Sequence, residues 1–257
     1  MKENLVAFNR LVEIMSELRE KCPWDKKQTM DSLRHLTIEE VYELSESIIN
    51  QNMEEVKKEL GDLILHIVFY SLIASEKNHF DLTDVLNSIS DKLIYRHPHI
   101  YGETKVKDEN EVKENWEKLK LKEGKDSVLE GVPDSLPSII KAFRLQEKAK
   151  GVGFDWNKHN QAWNKVKEEI IELENEIIQK DNEKIELEFG DVLFSLINYA
   201  RLLDINPDDA LEKVNKKFIT RFKKMEDLIK IDGKDFNQMT LEQMDVYWEN
   251  AKKDLSI

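Results

Sequence analysis

An all-α fold is predicted by three features of this 257-residue chain. Apolar residues return at spacings of three and four through most of its length, the period of a helix with one buried face. Strand-like alternation is almost absent. Composition agrees: 8 glycines, 5 prolines and a charged fraction of 35%, with Leu, Ile, Glu and Lys dominant, favour helices over sheets. With 40% hydrophobic residues the chain can bury a real core, as one large domain or two small ones.

The elements follow in order. Ile38, Val41, Ser45 and Ile48 mark one helical stripe. Asn52, with Glu55 three residues on, starts the next helix as a capping arrangement. The longest apolar run, Leu63 to Ala74, lies in that helix and is too short and too polar to cross a bilayer. Pro98 ends the helix that carries Tyr95 and Arg96. Lys122 to Ser138 gathers Gly124, Gly131, Pro133 and Pro137 and reads as a connector. Beyond it, Val166, Ile170, Leu173 and Ile177 mark a second stripe, and Asn206 with Pro207 caps and opens another helix. About ten helices are expected, in two domains at residues 1–121 and 139–257 joined by a linker at 122–138.

The same reading excludes several functional classes. No N-terminal apolar segment resembles a signal peptide, so no membrane association is expected. Cys22 is the single cysteine, which rules out an intrachain disulfide and makes the cytoplasm the default compartment. A net charge of -13 argues against nucleic-acid binding, which relies on a basic surface. An anionic ligand would need metal ions to offset the acid.

The two halves repeat. "EEVYE" (Glu39 to Glu43) and "ELGD" (Glu59 to Asp62) return as "EEIIE" (Glu168 to Glu172) and "EFGD" (Glu188 to Asp191), at a constant offset. "KLIYR" supplies Lys92 and Arg96, and "KFITR" supplies Lys217 and Arg221. Each half closes on Trp-Glu-x-x-Lys: Trp116 with Lys120, and Trp248 with Lys252. This is an internal duplication.

Within each copy, acids three and four apart share a helix face, and two such helices packed antiparallel would pool about four carboxylates. Like charges so placed repel, and a cation between them relieves the repulsion. A single helical glutamate is more often a solvated charge; a set that occurs twice, with Asp62 and Asp191 each entering an apolar helix, favours a site. Clustered oxygen ligands without cysteine suit a hard cation, Mg2+ or Mn2+. Gly61 and Gly190, inside these helices, point to close helix packing, ahead of backbone approach to a ligand. The Lys92/Arg96 and Lys217/Arg221 pairs read as phosphate clamps beside such a cluster. Trp116 and Trp248 stand equally as packing residues and as base-stacking residues. His66 is expected to be a satisfied core histidine, since Ser195 replaces it in the second copy.

Taken together, "CPWD" near Cys22, the two acidic blocks, "RHPHIYG", "SVLEGVP" and "GVGFDW" closely resemble the MazG family of nucleoside triphosphate pyrophosphohydrolases, over nearly the whole sequence. The resemblance implies tandem four-helix domains, a homodimer, and Mg2+-dependent hydrolysis of an NTP to NMP and pyrophosphate. It further implies Glu169, Glu172, Glu188 and Asp191 as metal ligands of the second site and Glu40, Glu43, Glu59 and Asp62 as those of the first. Glu168 and Glu39 become the acids that orient or activate water. Lys217, Arg221, Trp248 and Lys252 become substrate contacts, with Lys92, Arg96, Trp116 and Lys120 as their counterparts. The family's working site is generally the second, yet the first copy keeps all five acids. Two alternatives differ in kind. A di-iron carboxylate bundle needs Glu-x-x-His pairs that accompany neither cluster. A nucleotide-binding regulator with degenerate sites is disfavoured by the complete acid sets.

Overall fold

The computed structural model describes residues 2–108, 111–112, 115–116, 119 and 127–254, and every regular element among them is helical. Ten α-helices have defined bounds among the described residues, in line with the about ten the sequence led us to expect. They are α1 (Lys2–Lys21), α2 (Met30–Ile49), α3 (Met53–Glu76), α4 (Leu82–Arg96), α5 (Pro98–Tyr101), α6 (Ser138–Gly151), α7 (His159–Gln179), α8 (Asn182–Leu202), α9 (Pro207–Ile231) and α10 (Leu241–Asp254). None is long and apolar enough to cross a membrane.

Local chemistry accounts for where they begin and end. The Asn52 side chain accepts the Glu55 amide to open α3. Asn206 accepts the amides of Asp208 and Asp209, with Pro207 in the first helical position of α9. Pro98 cannot continue α4, which ends at Arg96, and instead opens the one-turn α5. Gly102 then folds back so closely that a Cβ there would lie 2.9 Å from the Pro98 carbonyl oxygen, so only glycine fits.

The chain divides into two compact units, Met1–Lys107 and Asp108–Ile257. In the first, α2 and α3 pair, and α1 lies against α3. Their shared core is Met15, Leu33, Val68, Phe69 and Ile73. Arg19 fixes the far end of this core: its Nε and Nη2 donate to Glu76 at 2.7 and 2.8 Å, and its Nη1 donates to the Gln28 carbonyl. The second unit repeats the hairpin with α7 and α8, packed through Ala162, Val166, Val192 and Ile197, and α6 lies against α8. A separate cluster, Met225, Ile229, Tyr247 and Ala251, joins α9 to α10.

Residues 127–137, the described part of the expected connector, are packed rather than free. Buried Lys148 of α6 donates to the carbonyls of Val128 and Glu130, and Lys141 donates to that of Asp134. Contacts divide the chain at Lys107/Asp108, ahead of the 121/122 boundary the composition suggested, and group Trp116 with the second unit.

Candidate functional site

The pairing of α2 with α3 and of α7 with α8 brings the repeated acids together. In the first unit, one carboxylate oxygen each from Glu40, Glu43 and Glu59 lies within 4.8 Å of the others. In the second, Glu169, Glu172 and Glu188 do the same. The register explains this: two acids three apart come from the first helix of the hairpin, and the third faces them from the second helix. Glu59 and Glu169 are buried, while Glu43 and Glu172 face solvent.

Electrostatics distinguishes these clusters from ordinary acidic surface. Partial burial pushes the Glu40 carboxyl up from its usual range, and the charges of Asp62 and Glu43 and a hydrogen bond shared with Glu59 push it further. Glu43 is raised by burial and then by Glu59, Glu39 and Asp62. Glu172, though exposed, is raised by partial desolvation where it lies against the hairpin and by Glu169, against the opposing charge of Lys165. Half-buried Glu188 adds a second sign of incompleteness: its Oε2 is buried and has no hydrogen-bond partner among the described residues. Oxygen donors only, mutual repulsion and an orphaned buried carboxylate oxygen fit a hard divalent cation.

Lys165 is a residue that motif reading missed. It bonds Glu168 at 2.6 Å and Glu169 at 2.8 Å, and both acids hold its ammonium well above the usual lysine range. Its spacing from "EE" at three and four residues could have disclosed it. The first copy has Leu36 at the matching position, so its cluster lacks this internal cation.

Other expected residues lie at varying removes. Asp62 is half-buried and acts on Glu40 and Glu43, whereas Asp191 is exposed. Glu39 is exposed at the edge of the first cluster, and its charge bears on Glu43; Glu168 is held by Lys165 at the edge of the second. Lys92 and Lys217 are exposed on α4 and α9, with Arg96 and Arg221 half-buried one turn on. Trp248 packs on Phe218, with ring centroids 5.3 Å apart, beside the α9–α10 core, and neighbouring Lys252 pairs with Glu249. Trp116 is half-buried, and Lys120 lies outside the described residues. His66 is the satisfied core histidine expected: its Nδ1 is 2.9 Å from Thr37 Oγ1, which also meets the Tyr70 hydroxyl at 2.7 Å, and burial lowers its proton affinity against the pull of Asp62.

Gly61 and Gly190 depart from expectation. A Cβ at either would meet nothing within 4 Å among the described residues, so close packing against those residues does not explain them. Both lie on open helix faces between the glutamate and the aspartate of their motif.

Comparison with known proteins matches this arrangement. The family model described as the MazG nucleotide pyrophosphohydrolase domain matches twice, over residues 28–101 and 157–225. The chain is 42% identical over 257 residues to the nucleoside triphosphate pyrophosphohydrolase/pyrophosphatase MazG of Thermotoga maritima, covering 98% of each chain. It is 37% identical to the nucleoside triphosphate pyrophosphohydrolase of Escherichia coli K12, across 96% of this chain and 97% of that one. It is also 42% identical to the uncharacterized protein YabN of Bacillus subtilis, over 96% of this chain but 52% of that protein. Each matched segment contains one complete acid cluster, and the chain belongs to the MazG nucleotide pyrophosphohydrolase family.

Proposed function

We propose that this protein hydrolyses nucleoside triphosphates to the monophosphate and pyrophosphate, using Mg2+, with Mn2+ as a substitute. The observation that carries the reading is the pair of three-carboxylate clusters on equivalent helical hairpins, each inside a segment matched by the family. The ion would be held by Glu169, Glu172 and Glu188, with Asp191 completing the set, and by Glu40, Glu43, Glu59 and Asp62 in the first unit. When bound, it polarises phosphoryl oxygens and offsets the charge that develops on them.

The chain's own groups do the rest. Glu168, and Glu39 in the first unit, orients the attacking water and takes its proton. The water oxygen bonds to the α-phosphorus while the bond to the bridging oxygen breaks, and pyrophosphate leaves with that oxygen. Lys217 and Arg221, spaced one turn apart on α9, steady the polyphosphate, with Lys92 and Arg96 as counterparts. Two further substrate contacts, Trp248 and Lys252, are inferred from the family resemblance, with Trp116 and Lys120 as their counterparts in the first sequence repeat.

A homodimer is part of the same reading. Leu60, Ile64 and Ile67 on α3 are 47%, 42% and 48% exposed, and Phe189, Leu193 and Leu196 at the matching positions of α8 are 54%, 47% and 39% exposed. Such apolar rows on both hairpins call for a partner surface. A second chain would cover them and close the space beside Gly61 and Gly190. The compartment we favour is the cytoplasm, in keeping with the lone Cys22.

Product analysis tests the activity. Purified protein with each NTP and Mg2+ should yield NMP and pyrophosphate on chromatography, with no NDP or free phosphate. NDP and phosphate as products would reject α–β cleavage, and nucleotide binding without turnover would favour the regulator instead.

A further inference from the structure

A pair of metal-binding side chains lies outside the acid clusters, where α4 gives way to α5 in the first unit. His97 and His99 flank Pro98, both half-buried, with ring centroids 5.6 Å apart and ring planes at 53°. An imidazole nitrogen binds a transition metal at about 2.0–2.1 Å, which sets each ring centroid about 3.2 Å from the ion. Two rings that share one ion at a tetrahedral to trigonal angle then have centroids roughly 5 to 5.5 Å apart. The observed separation stands at the upper edge of that span.

The second nitrogen of His97 is placed as a ligand's would be. Its Nδ1 lies 2.7 Å from the Leu93 carbonyl oxygen. A carbonyl only accepts, so Nδ1 carries the proton and the lone pair of the neutral ring sits on Nε2. Histidines that bind metals characteristically donate their other nitrogen in this way, which fixes the ring and makes the ligating nitrogen more basic.

The backbone beneath the pair is held firmly. The His97 amide closes α4 on the Ile94 carbonyl at 3.2 Å, and Pro98, its φ fixed by the ring, opens α5. The amides of Ile100 and Tyr101 both donate to the His97 carbonyl, at 2.9 and 3.0 Å, and that of Gly102 donates to Pro98 at 3.0 Å. Side chains carried on so tight a turn lose little further freedom when a ligand arrives.

The second repeat has nothing comparable. Counting from Arg96 and Arg221, His97, Pro98 and His99 meet Phe222, Lys223 and Lys224, and α9 runs on unbroken to Ile231. Phe222 packs against the α9–α10 core. A phenyl ring and an ammonium cannot take a cation, so the pair stands apart from the duplicated acid machinery.

We propose that His97 and His99 together hold a late first-row transition-metal ion (Zn2+, Ni2+ or Cu2+), with water in the remaining positions, and that the ion clamps the end of α4 to α5. Neutral imidazole suits these ions, whereas Mg2+ prefers oxygen and stays with the carboxylates. The site is therefore separate from the acid clusters in both ligand chemistry and metal, and it stands whether or not the pyrophosphohydrolase reading does.

Cu2+ is the probe, because nitrogen ligands split its electron paramagnetic resonance spectrum and carboxylates do not. The full chain is given one equivalent of Cu2+ with Mg2+ in large excess, at about pH 7.5, where imidazoles are neutral. The wild-type spectrum should show coupling to two nitrogens. His99→Gln leaves the His97–Leu93 bond in place; it should abolish the two-nitrogen pattern and weaken Cu2+ binding in calorimetry at least about tenfold, the lower end for disturbing even an outer partner of a metal ligand. Glu43→Gln/Glu172→Gln should keep both the pattern and the affinity. In the wild type alone, Zn2+ should protect His97 and His99 from carbethoxylation by diethyl pyrocarbonate, read by peptide mass, while exposed His79 stays reactive; this readout does not depend on any variant folding. A spectrum from oxygen ligands only, a two-nitrogen pattern that survives in His99→Gln, or absence of Zn2+ protection at the pair overturns the site.

Discussion

Glu172 provides a direct test of the second cluster because it is exposed and donates no buried bulk to the core, so changing it alters charge and little else. Glu172→Gln should lower turnover at least a hundredfold, the scale expected when a group stabilising transition-state charge is removed, with helical content unchanged by circular dichroism. Glu43→Gln reports the first cluster in the same assay, and full activity in Glu172→Gln would move the working site there. Lys165 leads to a second expectation. Its ammonium already neutralises part of Glu168 and Glu169 and opposes the rise at Glu172. In Lys165→Met a divalent ion meets no resident cation, so Mn2+ measured by calorimetry should bind the second site several-fold more tightly. Unchanged or weaker binding would mean that the lysine helps hold the ligand set open. The grouping of Glu40, Glu43 and Glu59, and of Glu169, Glu172 and Glu188, was legible in the sequence because spacing on a helix fixes the face that residues share. Lys165 was not, because a lysine near glutamates is common and only the folded rotamer shows which carboxylates it holds.

Helices were easy to place and their partners were not. Pro98, Asn52 and Asn206 marked boundaries by local chemistry, which needs no tertiary information. Gly61 and Gly190 called for knowledge of what lies opposite, and among the described residues nothing stands within 4 Å of a Cβ built at either. The 2.8 and 3.0 Å bonds that tie α6 to α8 and to the connector, through Gln146 and Lys148, were equally hidden, since one buried lysine or glutamine resembles many exposed ones in a sequence. The Asp155–Arg201 pair joins the GFDW turn to the end of α8, and Arg201 is buried. Truncating one partner of a buried pair strands the other charge. Arg201→Ala should therefore cost about 3 kcal/mol, the usual range for breaking such a pair, read as a shift in the denaturation midpoint with an unchanged slope. A loss no larger than that of Arg144→Ala, whose side chain is 42% exposed in its pair with Glu147, would show that water already screens the Asp155–Arg201 pair.

At the scale of the whole chain, the clusters make stability depend on pH and metal together. Glu40, Glu43 and Glu172 each hold a proton more tightly in the fold than at their ordinary value of 4.5. A raised folded-state pKa means the folded state binds more protons than the unfolded one just above that value, so these groups contribute less stability as pH rises through the window above 4.5. His66 acts with the opposite sign, its lowered value favouring the fold at higher pH, so the total curve of the wild type does not isolate the acids. The difference between wild type and the Glu43→Gln/Glu172→Gln double variant does. Without metal, the variant should gain in thermal midpoint relative to wild type as pH rises from about 4.5 to about 7, where glutamine cannot ionise and glutamate does. With Mg2+ the order should reverse at neutral pH, because an ion that binds only the folded state stabilises it in proportion to RT ln(1 + [L]/Kd) and the variant has lost ligands in both units. The Mg2+-induced shift of the wild type should shrink towards acid, since protons compete for the same oxygens. Parallel curves for the two proteins, with equal shifts from Mg2+, would mean that the carboxylates sit too far in solvent to bind an ion, and the repeat would then encode a charged surface and no metal centre.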